Sequence, residues 1–238
     1  MNDSQRPTFT YFGHATVRID FPDGQRWLID PWVAGNPSCP EELHDLERLD
    51  ALLITHSHAD HFANAVEIAK RYTPRKVVAN FEICCWLEGK GVENTAAMNL
   101  GGSQDVLGHT VTMVRADHSS GLDDNGTQVD GGTASGFVVR TADGYTFYHA
   151  GDTALFSDMK LIASLYRPRL GFLPMGDLFT MGPEDAARAC RYLGLATAIP
   201  IHWGTFPVLT GTPFEFASQV NERELACDVV VLQPGESY

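Results

Sequence analysis

The feature that most constrains this chain is the segment 55–61, which reads Thr-His-Ser-His-Ala-Asp-His. Four candidate metal ligands fall within six of its residues: His56, His58, Asp60 and His61. The segment follows Leu52-Leu53-Ile54, an apolar run typical of a short buried strand, and precedes residues with helical spacing. Imidazole and carboxylate are ligands that zinc and similar divalent ions prefer, and a turn from strand to helix directs alternate side chains to different points. The segment indicates a metal site, and both one ion and two ions remain open at this point.

Three further polar residues, His118, Asp152 and His202, each stand just after a predicted strand. The carboxyl ends of strands are where α/β architectures gather their site residues. Taken singly, each has an ordinary structural explanation, as a loop histidine, a turn aspartate or a core histidine. Because all three follow predicted strands, they are also candidates for one common site.

With these motifs the chain resembles the metallo-β-lactamase superfamily. Within it, the flanking blocks are similar to those of a lactonase-like branch of metal-dependent hydrolases related to ascorbate-phosphate lactonase. Four of these blocks are Phe12-Gly13-His14-Ala15, Leu28-Ile29-Asp30-Pro31, Gly151-Asp152-Thr153 and Ile201-His202-Trp203-Gly204. The resemblance covers about residues 9–210 of the chain.

The resemblance implies an α/β (α+β) fold, the four-layer αββα sandwich of two mixed sheets flanked by helices. It also implies two divalent metal ions, with zinc as the first expectation and manganese or iron as alternatives. The ligand set it implies is His56, His58 and His118 on one metal, Asp60, His61 and His202 on the other, and Asp152 bridging. Two such ions lower the pKa of a shared water and polarise a substrate oxygen. The expected activity is hydrolysis of an ester, lactone or related small-molecule bond by a metal-bridging hydroxide.

Two other functions stay open, a metallo-phosphodiesterase or nuclease and a non-catalytic metal-binding module. The set of seven ligands with a bridging carboxylate favours a binuclear enzyme, because structural zinc sites close with four ligands. The chain has 30 acidic and 17 basic residues, a formal net charge of -13 that repels nucleic acids and anionic lipids. We therefore expect a small-molecule substrate and neither nucleic-acid nor membrane partners, while a homo-oligomer remains open.

The composition predicts one domain over residues 1–238 in the cytoplasm. No apolar run reaches the ~20 residues of a membrane span, and the first ten residues are polar. Five cysteines without a CxxC pair predict free thiols rather than a disulfide framework.

A second group of residues has less specific signals. Asp30 is a candidate to orient a metal-binding histidine, or it only ends a strand. His14 is a candidate proton donor or substrate contact, or a structural histidine, and with Asp60 it forms the predicted catalytic pair. The candidates for lining the pocket are Asn36, Asp177, Phe179, Met181 and Thr205, with the core as the alternative position of Phe179 and Met181. The glycine-containing segment 121–132 is interpreted as a mobile lid, or as an ordinary surface loop.

Periodicity predicts alternating strands and helices after an opening β-meander that turns at Pro22-Asp23-Gly24. The predicted helices span 62–72, 154–165 and 213–223, with another opened by the N-cap Asn80 and one begun by Pro183. The predicted strands after the meander are 52–54, 76–79, 111–114, 170–173, 198–201 and 229–232, with a hairpin through Asp143-Gly144 joining 137–139 to 145–147.

Overall fold

The computed structural model describes residues 6–238. Within them the chain separates into two compact units. The first comprises the described part of Met1–Asn99 with Ser119–Ala134 and Gln233–Tyr238, and the second comprises Leu100–His118 and Ser135–Leu232. The prediction of one domain over 1–238 stays a prediction, and its residues 1–5 lie outside the described residues.

The first unit is built on a six-stranded mixed sheet whose strand order follows the chain. Its strands are β1 (Thr8–Gly13), β2 (Thr16–Asp20), β3 (Arg26–Ile29), β4 (Ala51–Leu53), β5 (Lys76–Asn80) and β6 (Thr95–Met98). The first three form the predicted antiparallel meander, and the remaining pairs are parallel. Parallel strands need crossover connections, which here carry α1 (Ala59–Phe62), α2 (Ala65–Tyr72) and α3 (Phe81–Gly89).

The predicted helix over 62–72 is divided in two, because Asn64 is committed to bonds outside the helix. Its backbone N–H donates to the carbonyl of Pro31 (3.0 Å), and its Oδ1 accepts from the backbone N–H of Val33 (2.8 Å). The prediction of Asn80 as an N-cap is confirmed, since its side-chain oxygen accepts from the backbone N–H of Ile83 at 2.9 Å.

The second unit holds a seven-stranded mixed sheet in the order β15-β14-β13-β12-β11-β8-β7. These strands are β7 (Ser103–Val106), β8 (His109–Arg115), β11 (Ser135–Arg140), β12 (Thr146–His149), β13 (Leu170–Pro174), β14 (Thr197–Ile201) and β15 (Asp228–Val229). Its helices are α4 (Met159–Tyr166), α5 (Pro183–Leu193) and α6 (Pro213–Glu222). As in the first sheet, an antiparallel half is followed by a parallel half.

Two predicted boundaries in this unit are wrong. The helix predicted from residue 154 begins at Met159, because the backbone N–H of Ala154 donates to the carbonyl of Asp117 at 3.1 Å instead of entering a helix. The strand predicted over 229–232 contains only Val229 of that range, in the two-residue β15 at the sheet edge. The helix begun by Pro183 and the hairpin through Asp143-Gly144 are confirmed.

The segment 121–132, interpreted as a mobile lid or an ordinary surface loop, contains an antiparallel ribbon of β9 (Gly121–Asp124) and β10 (Thr127–Asp130). Its role as a lid stays a prediction. The Asp124 carboxylate accepts from Lys90 Nζ at 2.8 Å and from Trp86 Nε1 at 3.1 Å, which fastens the ribbon to α3. Asn80 Nδ2 donates to the carbonyl of Gly131 at 2.7 Å. These hydrogen bonds anchor the ribbon within the first unit. The Asp124 carboxylate, for which the sequence indicated no partner, forms an intramolecular ion pair with Lys90.

Each unit has its own apolar core between sheet and helices. In the first, Leu52 and Val77 of the sheet pack in one cluster with Ile68 and Ile83 of the helices, and all of these are at most 6% exposed. In the second, the corresponding cluster includes residues of β11 to β14 together with residues of α4, α5 and α6. Burying each large apolar side chain stabilises a fold by about 1.5–3 kcal/mol, so these cores hold the strands and helices of each unit together. No helix among residues 6–238 combines the length and apolar character that crossing a membrane requires.

Candidate metal centre

The His-rich segment of the first unit occupies the turn between β4 and α1, as its sequence predicts. His56 and His61 are fully buried, and His58 is half-buried. The rings of His56 and His61 pack with centroids 4.2 Å apart, and His56 Nε2 lies 3.1 Å from His58 Nδ1. Two nitrogens that share a tetrahedral zinc at 2.0–2.1 Å stand ~3.3 Å apart, so this pair has the spacing of metal ligands.

Asp30 organises this cluster from the end of β3. Its carboxylate is fully buried and accepts three hydrogen bonds: from Thr55 N (2.8 Å), Thr55 Oγ1 (2.7 Å) and His61 Nδ1 (2.8 Å). The ligand atoms of Asp30, His56 and His61 all lie within 4.8 Å of one another. The structure thus places Asp30 against a predicted metal ligand.

These contacts fix which ring nitrogen of each histidine carries the proton. His61 donates through Nδ1 to Asp30, which leaves the lone pair on Nε2. Thr55 spends its only hydroxyl proton on Asp30, so the 3.0 Å contact between Thr55 Oγ1 and His56 Nδ1 requires His56 to donate. His56 therefore also keeps its lone pair on Nε2, the nitrogen that faces His58. Both rings are held in the tautomer that a metal ligand needs.

His14 and Asp60, the predicted catalytic pair, are in contact. His14 Nε2 lies 3.1 Å from Asp60 Oδ2, with the histidine side chain fully buried and the aspartate side chain 28% exposed. The His14 ring meets Trp32 edge-on at a centroid distance of 5.1 Å, and its carbonyl accepts from the hydroxyl of Tyr11 at 3.0 Å. Burial raises the pKa of Tyr11 well above its ordinary value, so that hydroxyl stays protonated and keeps donating.

In the second unit, Asp152 lies beside two of the predicted histidine ligands. Asp152 Oδ2 is 3.1 Å from His202 Nε2 and 3.6 Å from His118 Nε2. The Asp152 side chain is 3% exposed and that of His202 is 1% exposed. One carboxylate oxygen within 3.6 Å of two imidazole nitrogens has the spacing of ligands that share an ion. A bridging role of Asp152 between two ions stays a prediction.

Backbone geometry at the ends of three strands of this unit sets these positions. His202 follows β14 with a positive φ of 57°. A Cβ on Gly176 would lie 2.0 Å from the His202 carbonyl oxygen, so only glycine permits this approach after β13. Thr153 Oγ1 accepts from the backbone N–H of Asp117 at 2.9 Å, which joins the segment that carries Asp152 to the one that carries His118.

Three of the five predicted pocket-lining residues, Asn36, Asp177 and Thr205, are engaged in loop structure. Of the other two, Met181 is 2% exposed and belongs to the apolar core of the second unit, whereas Phe179 is 55% exposed. Asn36 is 4% exposed, donates from Nδ2 to the carbonyl of Trp32 (3.1 Å) and accepts from Ser38 N (3.0 Å). The Asp177 carboxylate accepts from the backbone N–H of Leu178 at 2.8 Å, and Thr205 Oγ1 donates to the carbonyl of Trp203 at 3.4 Å. Their part in binding a substrate stays a prediction.

Sequence reasoning missed the residues that hold the ligands in place. Thr55 was part of the motif but had no assigned role, although a hydroxyl next to a ligand histidine is a usable signal. Ser120 had no signal in the sequence. Its hydroxyl oxygen accepts from the backbone N–H of Ser57, within the motif, at 3.3 Å and lies 3.1 Å from the Ser57 hydroxyl oxygen. The requirement for glycine at position 176 becomes visible only in the structure, where the His202 carbonyl oxygen approaches the Gly176 backbone closely.

Comparison with known proteins agrees with this geometry. The model of the Beta-lactamase superfamily domain matches residues 25–203, about three quarters of the chain. The chain belongs to the metallo-β-lactamase superfamily. A UPF0173 metal-dependent hydrolase of Koribacter versatilis is 49% identical over 236 residues, which cover 99% of each chain. One of Rubrobacter xylanophilus is 47% identical over 228 residues, 95% of this chain and 94% of that one.

A solved structure extends the likeness to three dimensions. Igni18, described as a metallo hydrolase of the archaeon Ignicoccus hospitalis, superposes with a TM-score of 0.87 at 34% identity and covers 98% of this chain and 97% of its own. The predicted fold class, with two mixed sheets flanked by helices, is thereby confirmed. The protein is a metal-dependent hydrolase of this superfamily.

Proposed function

We propose that the protein is a binuclear metal hydrolase that cleaves an ester, a lactone or a related carbonyl bond of a small molecule. The observation that supports this most strongly is the position of Asp152 Oδ2, 3.1 Å from His202 Nε2 and 3.6 Å from His118 Nε2. Two imidazoles and a carboxylate that converge in this way leave positions open on an ion for water and substrate, whereas a structural zinc site closes with four protein ligands.

The donor set fits divalent metal ions, because buried imidazoles with defined tautomers and carboxylates at ligand spacing are what zinc takes. The residues that would hold the ions are those assigned from the sequence: His56, His58 and His118 for one, Asp60, His61 and His202 for the other, and Asp152 for both. Zinc is the proposed metal, with manganese and iron as the other candidates. Bound there, two ions would lower the pKa of a shared water and polarise the substrate carbonyl.

The chain's own residues have separate tasks in this proposal. Asp30 and Thr55 hold the His56 and His61 rings with their lone pairs on Nε2. His14 Nε2, at 3.1 Å from Asp60 Oδ2, holds that carboxylate in place in the resting enzyme. His14 is also the group proposed to deliver a proton to the leaving oxygen, and its Nε2–H would leave Asp60 for that oxygen in this step. The buried Tyr11 hydroxyl fixes the His14 backbone by donating to its carbonyl.

The proposal extends to the partners. The net charge of -13 disfavours polyanions, so the substrate is a small molecule and neither nucleic acid nor membrane is a partner. The proposed lactonase-like specificity is part of the same hypothesis.

Hydrolysis assays with esters, lactones and phosphodiesters, each with zinc, manganese or iron supplied, test the proposed function. We expect turnover of an ester or lactone that a chelator abolishes and that Asp152→Asn lowers by at least about a hundredfold. Asp185→Asn is the matched control, because Asp185 is an aspartate of α5 whose side chain is 45% exposed and forms an ion pair with Arg188 at the protein surface. Turnover of phosphodiesters alone would favour the phosphodiesterase alternative, and metal binding without turnover of any bond would favour the non-catalytic module.

A further inference from the structure

The loop 177–182 of the second unit has two features that lower the stability of the folded state: exposed apolar side chains and a strained backbone. Leu178 and Phe179 are 63% and 55% exposed, although both are large and apolar. Asp177 and Leu178 have consecutive positive φ angles of 68° and 52°. Aspartate tolerates the left-handed region, whereas leucine adopts it only under constraint. Strain of this kind is characteristic of segments whose shape serves a function.

The loop is nevertheless tightly held. Asp177 N donates to the carbonyl of Met181 at 3.0 Å, and Leu178 N donates to Asp177 Oδ1 at 2.8 Å. Phe179 N donates to the carbonyl of Asp177 at 2.6 Å. The two apolar side chains are therefore presented on a defined support, which lowers the entropy lost when a ligand binds against them.

The loop is fastened on both sides to segments that carry proposed metal ligands. At one end, Met181 N donates to the carbonyl of Thr153, the residue after Asp152, at 3.1 Å. At the other, Met175 N donates to the carbonyl of Ile201, the residue before His202, at 3.1 Å. The loop is thus joined by backbone hydrogen bonds to the segments that carry Asp152 and His202.

The exposed side chains of the loop favour an uncharged ligand. Leu178 and Phe179 are both apolar, so an alkyl or aryl group that covered them would leave water together with them. A charged group would give up part of its hydration against such a surface.

We propose that Leu178 and Phe179 form an apolar rim that selects substrates with an uncharged alkyl or aryl group next to the scissile carbonyl. This inference rests on the proposed function and specifies its substrate class. Each methylene that the rim covers should raise kcat/KM by about two- to fourfold, the factor expected from partial to full burial of a CH₂ group.

The test is a series of 4-nitrophenyl esters, from acetate to octanoate, with the metal-loaded wild type, Leu178→Ala and Phe179→Ala. The matched control is Leu165→Ala, because Leu165 is a comparably exposed leucine (61%) on α4 of the same unit. We expect kcat/KM to rise with chain length in the wild type and in the control. In both rim variants this rise should be smaller, because KM no longer falls as the acyl chain lengthens. Turnover of the acetate should stay within about twofold of wild type in the control variant Leu165→Ala.

A second series separates this inference from the proposed function. The 2-alkanones from butanone to octanone present a carbonyl and an alkyl chain without a bond to hydrolyse, and their binding is measured by ligand-observed NMR. Affinity that rises with chain length in the wild type and flattens in Phe179→Ala supports the rim, even if no ester is cleaved. A chain-length dependence that is the same in wild type and both rim variants, for esters and ketones, would overturn the rim and leave the proposed function standing.

Discussion

Asp30→Asn is the substitution whose consequences follow most directly from the site. Asparagine has the same shape as aspartate and also tolerates a positive φ, here 53°, so the backbone has no reason to move. The change replaces one carboxylate oxygen by an NH₂ group in a fully buried position that now receives three donors. At least one hydrogen bond of this network must therefore exchange its donor and acceptor, or a buried donor must remain without an acceptor.

The amide has two orientations, and each has a defined cost. If its NH₂ group replaces Oδ1, it faces the N–H of Thr55, and two buried donors are left unsatisfied at about 1–3 kcal/mol each. If its NH₂ group replaces Oδ2, it faces Thr55 Oγ1 and His61 Nδ1, which must then accept. His61 would carry its proton on Nε2, and Thr55 would be free to donate to His56 Nδ1, so both rings lose their Nε2 lone pair.

We expect the second orientation to lower metal affinity by about 10–100-fold, equivalent to about 1.4–2.7 kcal/mol, and the first to lower the free energy of unfolding by about 1–3 kcal/mol. Competition with a chromogenic chelator gives the metal affinity, and urea unfolding of the metal-free protein gives the stability. Ring ¹⁵N shifts of His56 and His61 report the tautomers directly.

Asp50→Asn is the control for this experiment. Asp50 also caps a backbone N–H, that of Arg26 at 2.8 Å, and its side chain is 24% exposed. We expect that variant to lose some stability and to keep the metal affinity of the wild type. If Asp30→Asn changed neither metal affinity nor stability beyond the control, the account of how these histidines are oriented would be refuted.

Two further predictions concern residues outside that network. In Gly176→Ala, the new Cβ would lie 2.0 Å from the His202 carbonyl oxygen. We expect this variant to lose about 1–3 kcal/mol of the free energy of unfolding and to bind metal more weakly, as measured by thermal unfolding and metal titration. Gly89→Ala is the control, because the space around its Cβ is open, and it should change neither quantity. At pH 8 the exposed Cys85 should react rapidly with a thiol reagent, whereas the buried Cys39, whose pKa burial raises to about 12, should react only on unfolding, and equal rates in the native protein would contradict this burial.

The ligand motif was predictable because it depends on short-range order. A buried strand followed by a turn and a helix specifies where His56, His58 and Asp60 stand, and the spacing alone carries that information. The ends of β12 and β14 were predictable for the same reason, which placed Asp152 and His202 correctly after their strands.

The remaining features depend on contacts between segments distant in the sequence. Asn64 breaks a predicted helix because it bonds to the backbone around residue 32, and the 121–132 ribbon forms because Asp124 meets Lys90 and Trp86. The role of Thr55 required the position of Asp30, which lies 25 residues away. No local pattern encodes such partners, so tertiary contacts decide them.

Metal content per folded chain, measured by elemental analysis after purification without chelator or affinity-tag metal, tests the central claim most directly. The account predicts about two equivalents of divalent metal in the wild type and a clear decrease in Asp152→Ala, because Asp152 would bridge both ions. No bound metal in the wild type after replenishment with zinc, manganese or iron would contradict the ligand assignment and the proposed hydrolytic centre with it.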